Sequence, residues 1–525
     1  MKKVKTLGLC LLMPALLLSS CSFFNNGGDD QSSNSVVNSS SEKQEESSNA
    51  DASKESSSLN NSSDRGSSND SGDKGSSSAQ ASSSASSSSS KQYSSWPDPS
   101  PSFVPYQNKV TVLMSAGLNS SKVNYTVEFQ YDDTYFVRNP AIYDKGLSML
   151  SFASSLATST KQEAIDFFTG GQFQDIETYY LDKTPERDSI GFAFGHKTVD
   201  TSELFAVSIR GFNYGLEWTN NFKIGKTGNH EGFDGSAQIV RTELLKYINL
   251  YKGSKAAKIW VSGYSRAGAV ANALVYNPSL LGVNNDAIYA YTFEAPASLD
   301  SSNCNEDINV HNVLNSGDVI AAVVPSNYNI GRCGTVYPIY DEDAANIVKA
   351  FDNGIDFPEF SPITGGDKTI NNDTELVNYV INAVYNVQTD NDDAKQWTAN
   401  SRSEYVDRYQ PGLSYIVGLI FNMSGFNRNK MLKDLQDLGF SALTVLSSGQ
   451  KIYEFMKPYF DDDGMTYDDA TLLEACNAFQ KAIQYLFFNI LMMYMSESSK
   501  PSLTRIIDMH YPEVTYALLV NAHAK

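Results

Sequence analysis

The order of apolar and polar residues around position 265 predicts a helix, a strand and a second helix. Residues 237–250 (AQIVRTELLKYINL) place apolar side chains three and four residues apart, the spacing of an amphipathic helix, and KGSK then interrupts that spacing. AKIWVS at 257–262 is a short run of β-forming residues, and RAGAVANALVY at 266–276 predicts a helix of mostly small residues. Ser265 is therefore expected at a sharp turn between a strand and a helix.

The apolar pattern at the start of the chain is that of an export signal. Lysines precede LGLCLLMPALLL at 7–18, an apolar core that is too short to cross a bilayer, and small residues follow it. The LSSC ending at 18–21 resembles the lipobox of bacterial lipoproteins. That resemblance implies that residues 1–21 are a lipoprotein signal and that acyl chains on Cys21 anchor the mature chain to the membrane. Cleavage nearby by another peptidase, which would leave a secreted protein, is the alternative.

Residues 22–100 lack the apolar side chains that a folded core needs. Ser, Asn, Asp, Gly, Lys and Glu dominate, and aliphatic residues are rare after Val37. Such a segment cannot bury enough apolar surface to offset its ordering entropy, so we predict a disordered tether. About 70 flexible residues would give this tether a mean reach of roughly 45 Å.

The rest of the chain has the composition of a large folded protein. It carries most of the 30 Tyr and 27 Phe, and 40 basic against 60 acidic residues give a net charge of −20, which argues against nucleic acid as a partner. Cys304, Cys333 and Cys476 are its cysteines, and no Cys or His spacing matches a zinc site. Cys304 and Cys333 could form a disulfide in an exported protein or remain free thiols, and the sequence leaves both open.

A serine between a strand and a helix has the local context of a nucleophile. Gly263 and the small residues after Ser265 let the strand and the helix approach closely. Ser265 would then sit exposed at the helix start, where N–H groups and the helix dipole favour the negative charge that develops in acyl transfer. A small residue in a tight corner, with no chemical role, is the structural alternative.

GYSRAGA at 263–269 resembles the elbow G-H-S-L-G-G-A of the class 3 lipases, a family of the α/β-hydrolase fold, and differs from it at Tyr264, Arg266 and Ala267. Other segments resemble further motifs of that family in the same order. Residues 143–157 resemble its leading helix, 204–212 its oxyanion strand and 229–237 its H-x-G-F segment. Residues 289–297 resemble its T-F-G-x-P strand, and 311–325 resemble its V-N-x-x-D-x-V-P-x-x-P motif. The resemblance implies a mostly parallel sheet flanked by helices, with a core at 101–340 completed by 501–525. It implies no cofactor and no metal.

The resemblance also implies the catalytic residues. Ser265 would attack an ester carbonyl, His510 would take its proton, and Asp318 would orient His510. DMHYPEVTY at 508–516 resembles the family's terminal histidine loop, H-x-P-E-x-Y. The backbone N–H groups of Phe212 and Arg266 would hold the oxyanion.

Other residues compete for some of these roles. Glu294 ends the preceding predicted strand and is a second candidate acid, while a surface turn is the structural alternative for Asp318. His311 lies inside a predicted strand, where it would pack or face solvent, and His523 lies near the end of the sequence. His230 matches a family position outside the triad and is expected to order the loop near the oxyanion residue.

Residues 341–500 are not needed by this catalytic scheme. Their apolar spacing predicts helices at 344–351, 374–387, 413–423, 428–440 and 468–495, which we interpret as a helical insertion over the strand ends. Within the last of these, KAIQYLFFNILMMYM at 481–495 is apolar on nearly every face. That pattern is typical of a helix buried on all sides or of one that meets an acyl chain.

Together these features predict a lipid-anchored serine hydrolase at the outer face of the cell membrane that cleaves carboxylic esters, with triacylglycerol-like lipids as the leading substrate class. An esterase or phospholipase with another substrate is one alternative. The other is a surface-binding protein on a hydrolase scaffold that no longer turns over, because Phe212, Arg266 and Glu294 depart from the family pattern.

Overall fold

The computed structural model describes residues 96–114, 125–182, 189–211, 216–315, 317–318, 320–339, 363–365, 368–371, 375, 401–438, 441–496 and 508–522. At 125, 322, 326, 363–365, 368–370, 436, 441, 443, 485–496, 508 and 522 it describes the backbone alone. Several predicted features lie outside the described residues. These are the signal with Cys21, the tether up to residue 95, Phe212, His523, and the helices expected at 344–351 and 374–387.

A seven-stranded sheet forms the centre of the described chain, preceded by an antiparallel hairpin of β1 (Gln107–Met114) and β2 (Tyr125–Asp132). The remaining strands are β3 (Gln174–Tyr179), β4 (Phe192–Val199), β5 (Ser202–Ile209), β6 (Ala256–Tyr264), β7 (Ile288–Phe293), β8 (Leu299–Asp300), β9 (Val310–Leu314), β10 (Ile330–Gly331), β11 (Thr335–Pro338), β12 (Ile363–Gly365) and β13 (Lys368–Ile370). The sheet order is β11-β9-β7-β6-β5-β4-β3, while β8 pairs with β10 and β12 with β13.

The central sheet is mostly parallel, as predicted. Its strands from β5 through β6, β7 and β9 to β11 run parallel to their neighbours, and β4 and β3 continue it antiparallel at one edge. β5 and β7 are buried along their whole length. Continuous burial is expected of parallel strands that are covered by helices on both faces.

Helices cover both faces of the sheet. They are α1 (Lys145–Ala157), α2 (Lys161–Gly170), α3 (Glu231–Tyr251), α4 (Arg266–Val275) and α10 (Pro512–Ala522). The helices α5 (Gln410–Asn422), α6 (Gly425–Asp437), α7 (Ser441–Leu446), α8 (Gly449–Asp462) and α9 (Asp469–Ser496) belong to a separate hydrophobic cluster. Successive side chains of a strand point to opposite faces, so Trp260 and Tyr264 of β6 pack with α1 and α10, while Ile259 and Val261 pack with α3 and α4. This layering confirms the predicted α/β-hydrolase fold.

Helices α5 to α9 lie between β11 and the segment that carries His510. They share one hydrophobic cluster with residues that follow the carboxyl ends of the sheet strands, namely Trp218 after β5, Ala297 after β7 and Ile320 after β9. Tyr511, the neighbour of His510, belongs to the same cluster. Within the described residues, none of the helices combines the length and the apolar character that crossing a membrane would require.

Candidate active site

Ser265 occupies a strained turn between β6 and α4. β6 ends at Tyr264 and α4 begins at Arg266, so Ser265 is the single residue that reverses the chain, at φ 55° and ψ −127°. Residues with a side chain rarely adopt such positive φ values, and strain of this kind is concentrated at functional sites. The Ser265 N–H donates to the carbonyl of Phe293, the last residue of β7, at 2.7 Å.

Glycines make this turn possible because the backbone segments around it almost touch. A Cβ on Gly263 would lie 2.4 Å from the carbonyl oxygen of Ala267, and a Cβ on Gly211 would lie 2.3 Å from that of Tyr264. Ser265 is only 7% exposed. The expectation of an exposed serine was therefore wrong, since the tight backbone packing and the ring of His510 cover it.

Ser265, His510 and Asp318 form a continuous chain of hydrogen bonds. His510 Nε2 lies 2.7 Å from Ser265 Oγ, and His510 Nδ1 lies 2.6 Å from Asp318 Oδ2. The Asp318 side chain is fully buried, whereas 18% of the His510 side chain remains exposed. In this arrangement an imidazole can take the proton of a serine hydroxyl while a carboxylate fixes its tautomer.

Backbone and side-chain bonds hold the acid and the histidine in place. Asp318 Oδ1 accepts a hydrogen bond from the N–H of Ile320 at 2.8 Å. The amide of Asn315 donates to the Met509 carbonyl at 3.0 Å, which ties the loop after β9 to the histidine segment. The Tyr264 hydroxyl donates to the His510 carbonyl at 2.8 Å, so the residue before Ser265 also positions the histidine.

Glu294, the competing acid, is a neighbour of Asp318 and makes its described hydrogen bonds away from the ring of His510. Its carboxyl accepts from the Asn315 N–H at 2.8 Å and from the Thr515 hydroxyl at 3.1 Å. Burial, together with the adjacent charge of Asp318, raises the pKa of Glu294 well above its usual value. Of the two candidates, the structure brings Asp318 to the histidine.

The side chain of Arg266 turns away from Ser265 into a buried ion cluster. Arg266 Nη1 lies 2.9 Å from Glu217 Oε2, and Arg210 Nη2 lies 2.5 Å from Glu217 Oε1. Arg266 also donates to the Ser236 hydroxyl at 3.2 Å. The guanidinium that distinguishes this elbow from the family pattern is thus paired beneath the site. Its backbone N–H opens α4 beside Ser265, while Phe212, the other predicted oxyanion residue, lies outside the described residues.

Sequence reasoning missed Glu217 and Arg210. Both flank the predicted oxyanion residue in sequence, and Arg210 belongs to the segment 204–212 that resembles the family's oxyanion strand. An unexpected arginine beside the nucleophile needs a buried counter-charge, and that requirement was the available signal for an acidic partner.

His230 and His311 lie outside the triad, as expected. His230 caps the start of α3, and its Nε2 lies 3.2 Å from the Asn221 carbonyl in the loop after β5. Burial lowers the pKa of His230 to about 3, so it remains neutral. His311 is buried and its Nε2 lies 2.8 Å from the Pro140 carbonyl. Among the described residues, no group of three or more His, Cys, Asp or Glu side chains could hold a metal ion.

The comparisons with known proteins show no family for this chain. No protein-family model matches the sequence, and no curated protein does. Among solved structures, the triacylglyceride lipase of Rhizomucor miehei matches at 16% identity with a TM-score of 0.29, over 38% of this chain and 80% of that one. Lipase II from Rhizopus niveus matches at 13% identity and 0.28, and a triacylglycerol lipase from Penicillium expansum at 16% and 0.26, each over 37% of this chain and 80% of the other.

Proposed function

We propose that this protein is a serine hydrolase that cleaves carboxylic esters with Ser265 as nucleophile, His510 as base and Asp318 as the acid that orients it. The observation that carries the proposal is the hydrogen-bonded chain Ser265–His510–Asp318 at 2.7 and 2.6 Å. Ser265 itself has a strained backbone conformation, with φ at 55°, and such strain is concentrated at functional sites.

In the proposed reaction, Ser265 Oγ attacks the ester carbonyl while His510 Nε2 takes its proton. The developing oxyanion is held by the backbone N–H groups of Phe212 and Arg266. His510 then gives the proton to the departing alcohol, which leaves an acyl group on Ser265. A water molecule, activated by the same nitrogen, releases the acid and restores the serine.

The pairing of Arg266 with Glu217 favours an active hydrolase over an inactive binding scaffold. The buried guanidinium donates to Glu217 at 2.9 Å and to Ser236 at 3.2 Å, so its charge is compensated within the protein. Glu294, the other departure, is hydrogen-bonded within the structure and leaves Asp318 to the histidine.

Labelling with a fluorophosphonate tests the nucleophile. The wild type should be labelled on Ser265 and should hydrolyse p-nitrophenyl esters, and Ser265→Ala should lose both activities with an unchanged melting temperature. Ser262→Ala is a matched control, because Ser262 is a buried serine of β6, three residues before Ser265, and its hydroxyl bonds Ser154 at 2.9 Å. Undiminished turnover by Ser265→Ala, or an unlabelled wild type, would contradict the proposal.

For the substrate we propose lipid esters, with triacylglycerol-like molecules as the first class to test. Support comes from the apolar segment 481–495, which precedes the histidine segment in the sequence. Rates on p-nitrophenyl esters of graded chain length, followed by triacylglycerols and phospholipids, would test this. A strict preference for acetate esters would remove the lipid assignment and leave the hydrolase.

We also propose that the chain is lipid-anchored through Cys21 on the outer face of the cell membrane. The LSSC ending and the apolar core before it support this. Cys21→Ser should move the protein from the membrane to a soluble fraction, whereas Cys476→Ser, which changes a buried cysteine of the folded part, should not. Retention of Cys21→Ser after a carbonate wash would place the anchor elsewhere.

A further inference from the structure

Two of the free cysteines meet at the edge of the fold. Cys304 follows β8, and Cys333 lies between β10 and β11. The Cys333 Sγ lies 3.8 Å from the carbonyl oxygen of Asn303, the residue that precedes Cys304. Cys333 is fully buried, whereas Cys304 is partly exposed and has exposed residues on both sides.

The backbone holds the two cysteines together independently of their thiols. β8 and β10 form a two-stranded antiparallel sheet that pairs Asp300 with Ile330. Beyond the pair, the N–H of Gly334 donates to the Asn305 carbonyl at 3.0 Å. Asn305 and Gly334 are the chain neighbours of Cys304 and Cys333, so this bond keeps the two cysteines close to each other whether or not their sulfurs are linked.

We propose that Cys304 and Cys333 are an oxidation site and form an intramolecular disulfide when the chain meets a disulfide oxidant. A thiolate of the pair attacks one sulfur of the oxidant, such as oxidised glutathione or a protein disulfide, and expels the first reduced thiol. The mixed disulfide forms on Cys304, which is the accessible member. The Cys333 thiolate then attacks the Cys304 sulfur and expels the second reduced thiol. The two cysteines lose two electrons and two protons, and one oxidant disulfide becomes two thiols.

The electrostatics of the reduced pair favour the loss of its first proton. While both thiols are free, the neighbouring Cys304 lowers the pKa of the Cys333 thiol, so the pair forms a thiolate more readily. Cys476, by contrast, lies in α9, and burial raises the pKa of its thiol to about 12. Oxidation is therefore expected to be selective for the 304–333 pair.

The disulfide would close a covalent loop around the proposed acid. Residues 304–333 include β9 and Asp318. The carbonyl of Cys333 already accepts bonds from Asn272 at 3.0 Å and Asn312 at 2.8 Å, so one end of the loop is fixed to α4 and β9. Closing the loop removes conformations from the unfolded chain, so the oxidised form should resist unfolding more than the reduced form.

Peptide mapping of the full-length chain tests the proposal. The protein is reduced with dithiothreitol, exposed to a glutathione redox buffer, alkylated with iodoacetamide and digested without reductant. The expected product is a peptide that joins Cys304 to Cys333, two hydrogens lighter than the sum of its parts, with Cys476 alkylated. The melting temperature should rise by roughly 5 °C on oxidation and fall again with dithiothreitol.

Cys304→Ser should abolish this shift, because it changes one atom of a partly exposed side chain and removes one member of the pair. Cys476→Ser should retain both the linked peptide and the shift. Alkylation of both Cys304 and Cys333 after oxidation, or a glutathione adduct on Cys304 that never passes to Cys333, would overturn the proposal. These readouts do not involve ester hydrolysis, so the disulfide and the proposed function stand or fall separately.

Discussion

Glu294 and Asp318 are neighbouring carboxyl groups with different surroundings. Asp318 Oδ2 lies 2.6 Å from the His510 Nδ1, and Asp318 Oδ1 accepts from the Ile320 N–H at 2.8 Å. Glu294 is fully buried beside that charge, and its pKa is raised by burial and by Asp318. One carboxylate therefore faces the histidine, while the other carboxyl retains its proton and holds Asn315 and Thr515.

Substitution of each acid should separate these roles. Asp318→Asn should lower kcat by about 10³–10⁴, because an amide favours the wrong tautomer of His510. Glu294→Gln preserves a neutral side chain of similar shape, so it should cost less than about tenfold. Ester hydrolysis under saturating substrate measures both. The reverse ranking would assign the acid role to Glu294.

Glu294 should also make stability depend on pH. Its pKa is raised in the folded state, so above the ordinary value of 4.5 the unfolded chain releases a proton that the folded chain retains. The contribution of Glu294 to the free energy of unfolding is therefore complete below pH 4.5. It is lost as the pH rises towards the pKa of the folded state, by at most about 1.4 kcal/mol per pH unit. Chemical denaturation of the wild type between pH 5 and 8 should show this decline. Glu294→Gln should flatten it, and parallel curves would contradict the pKa shift.

The cluster of Arg210, Glu217 and Arg266 carries two positive charges and one negative charge, all buried. Glu217→Gln would remove the buried carboxylate charge that both guanidinium groups contact and should destabilise the fold by about 3–5 kcal/mol. Arg266→Leu deletes more atoms but leaves one matched pair, so it should cost less. Urea denaturation of both variants measures the difference. A larger loss for Arg266→Leu would indicate that packing outweighs charge here.

At the scale of elements, the turn at Ser265 depends on how closely β6 and α4 approach. Gly263 has no space for a side chain, because the Ala267 carbonyl would lie 2.4 Å from its Cβ. Gly235 in α3 is exposed and would meet nothing within 4 Å. The same substitution should therefore have opposite effects at the two positions.

Gly263→Ala should destabilise the protein by about 3 kcal/mol and lower labelling of Ser265, since the backbone at the turn must shift. Gly235→Ala should stabilise it by about 0.5–1 kcal/mol, because alanine loses less conformational entropy in a helix. Thermal unfolding and fluorophosphonate labelling measure the two effects. A neutral Gly263→Ala would show that β6 and α4 can separate without loss.

Local pattern was sufficient to predict the elements around the site but not its long-range contacts. The spacing of apolar residues and the glycines at the turn were enough to predict β6, α3 and α4, because both can be recognised within a few neighbouring residues of the sequence. The Arg266–Glu217 pair and the bond from Thr515 to Glu294 join residues that are 49 and 221 positions apart. Such pairs are set by the tertiary arrangement, which periodicity does not encode, and resemblance to a family offered no counterpart for Glu294.

For the whole molecule, the helices α5 to α9 are built onto the loops that carry the site. Ile416 and Phe479 share a hydrophobic cluster with Trp218 and with Tyr511, the neighbour of His510. Gln410 accepts from the Ile224 N–H at 2.9 Å, which joins the start of α5 to the loop after β5. Movement of these helices would therefore be transmitted to the histidine and to the loop that follows the predicted oxyanion residue.

Arg402 is the main polar link between the helices and this loop. It is 8% exposed, and it donates to the carbonyls of Gly225 at 2.6 Å, Ile224 at 2.9 Å and Asn229 at 3.1 Å, with longer bonds to Thr227 and Tyr328. Asp407 nearby offers a contrast, because its pair with Lys226, at 2.6 Å, is exposed on both sides.

Arg402→Ala should lower the free energy of unfolding by about 3 kcal/mol, because it removes a buried guanidinium that donates to several carbonyl groups. Limited proteolysis should then cut the helices at lower protease concentrations, and ester hydrolysis should fall in parallel, since Tyr511 couples them to His510. Asp407→Asn is the matched control and should change neither readout, because a screened surface pair contributes little. Proteolysis and stability equal to the wild type in Arg402→Ala would mean that the apolar cluster alone holds the helices in place. Hydrolysis retained in an Arg402→Ala protein whose helices are cut would show instead that the site functions independently of them.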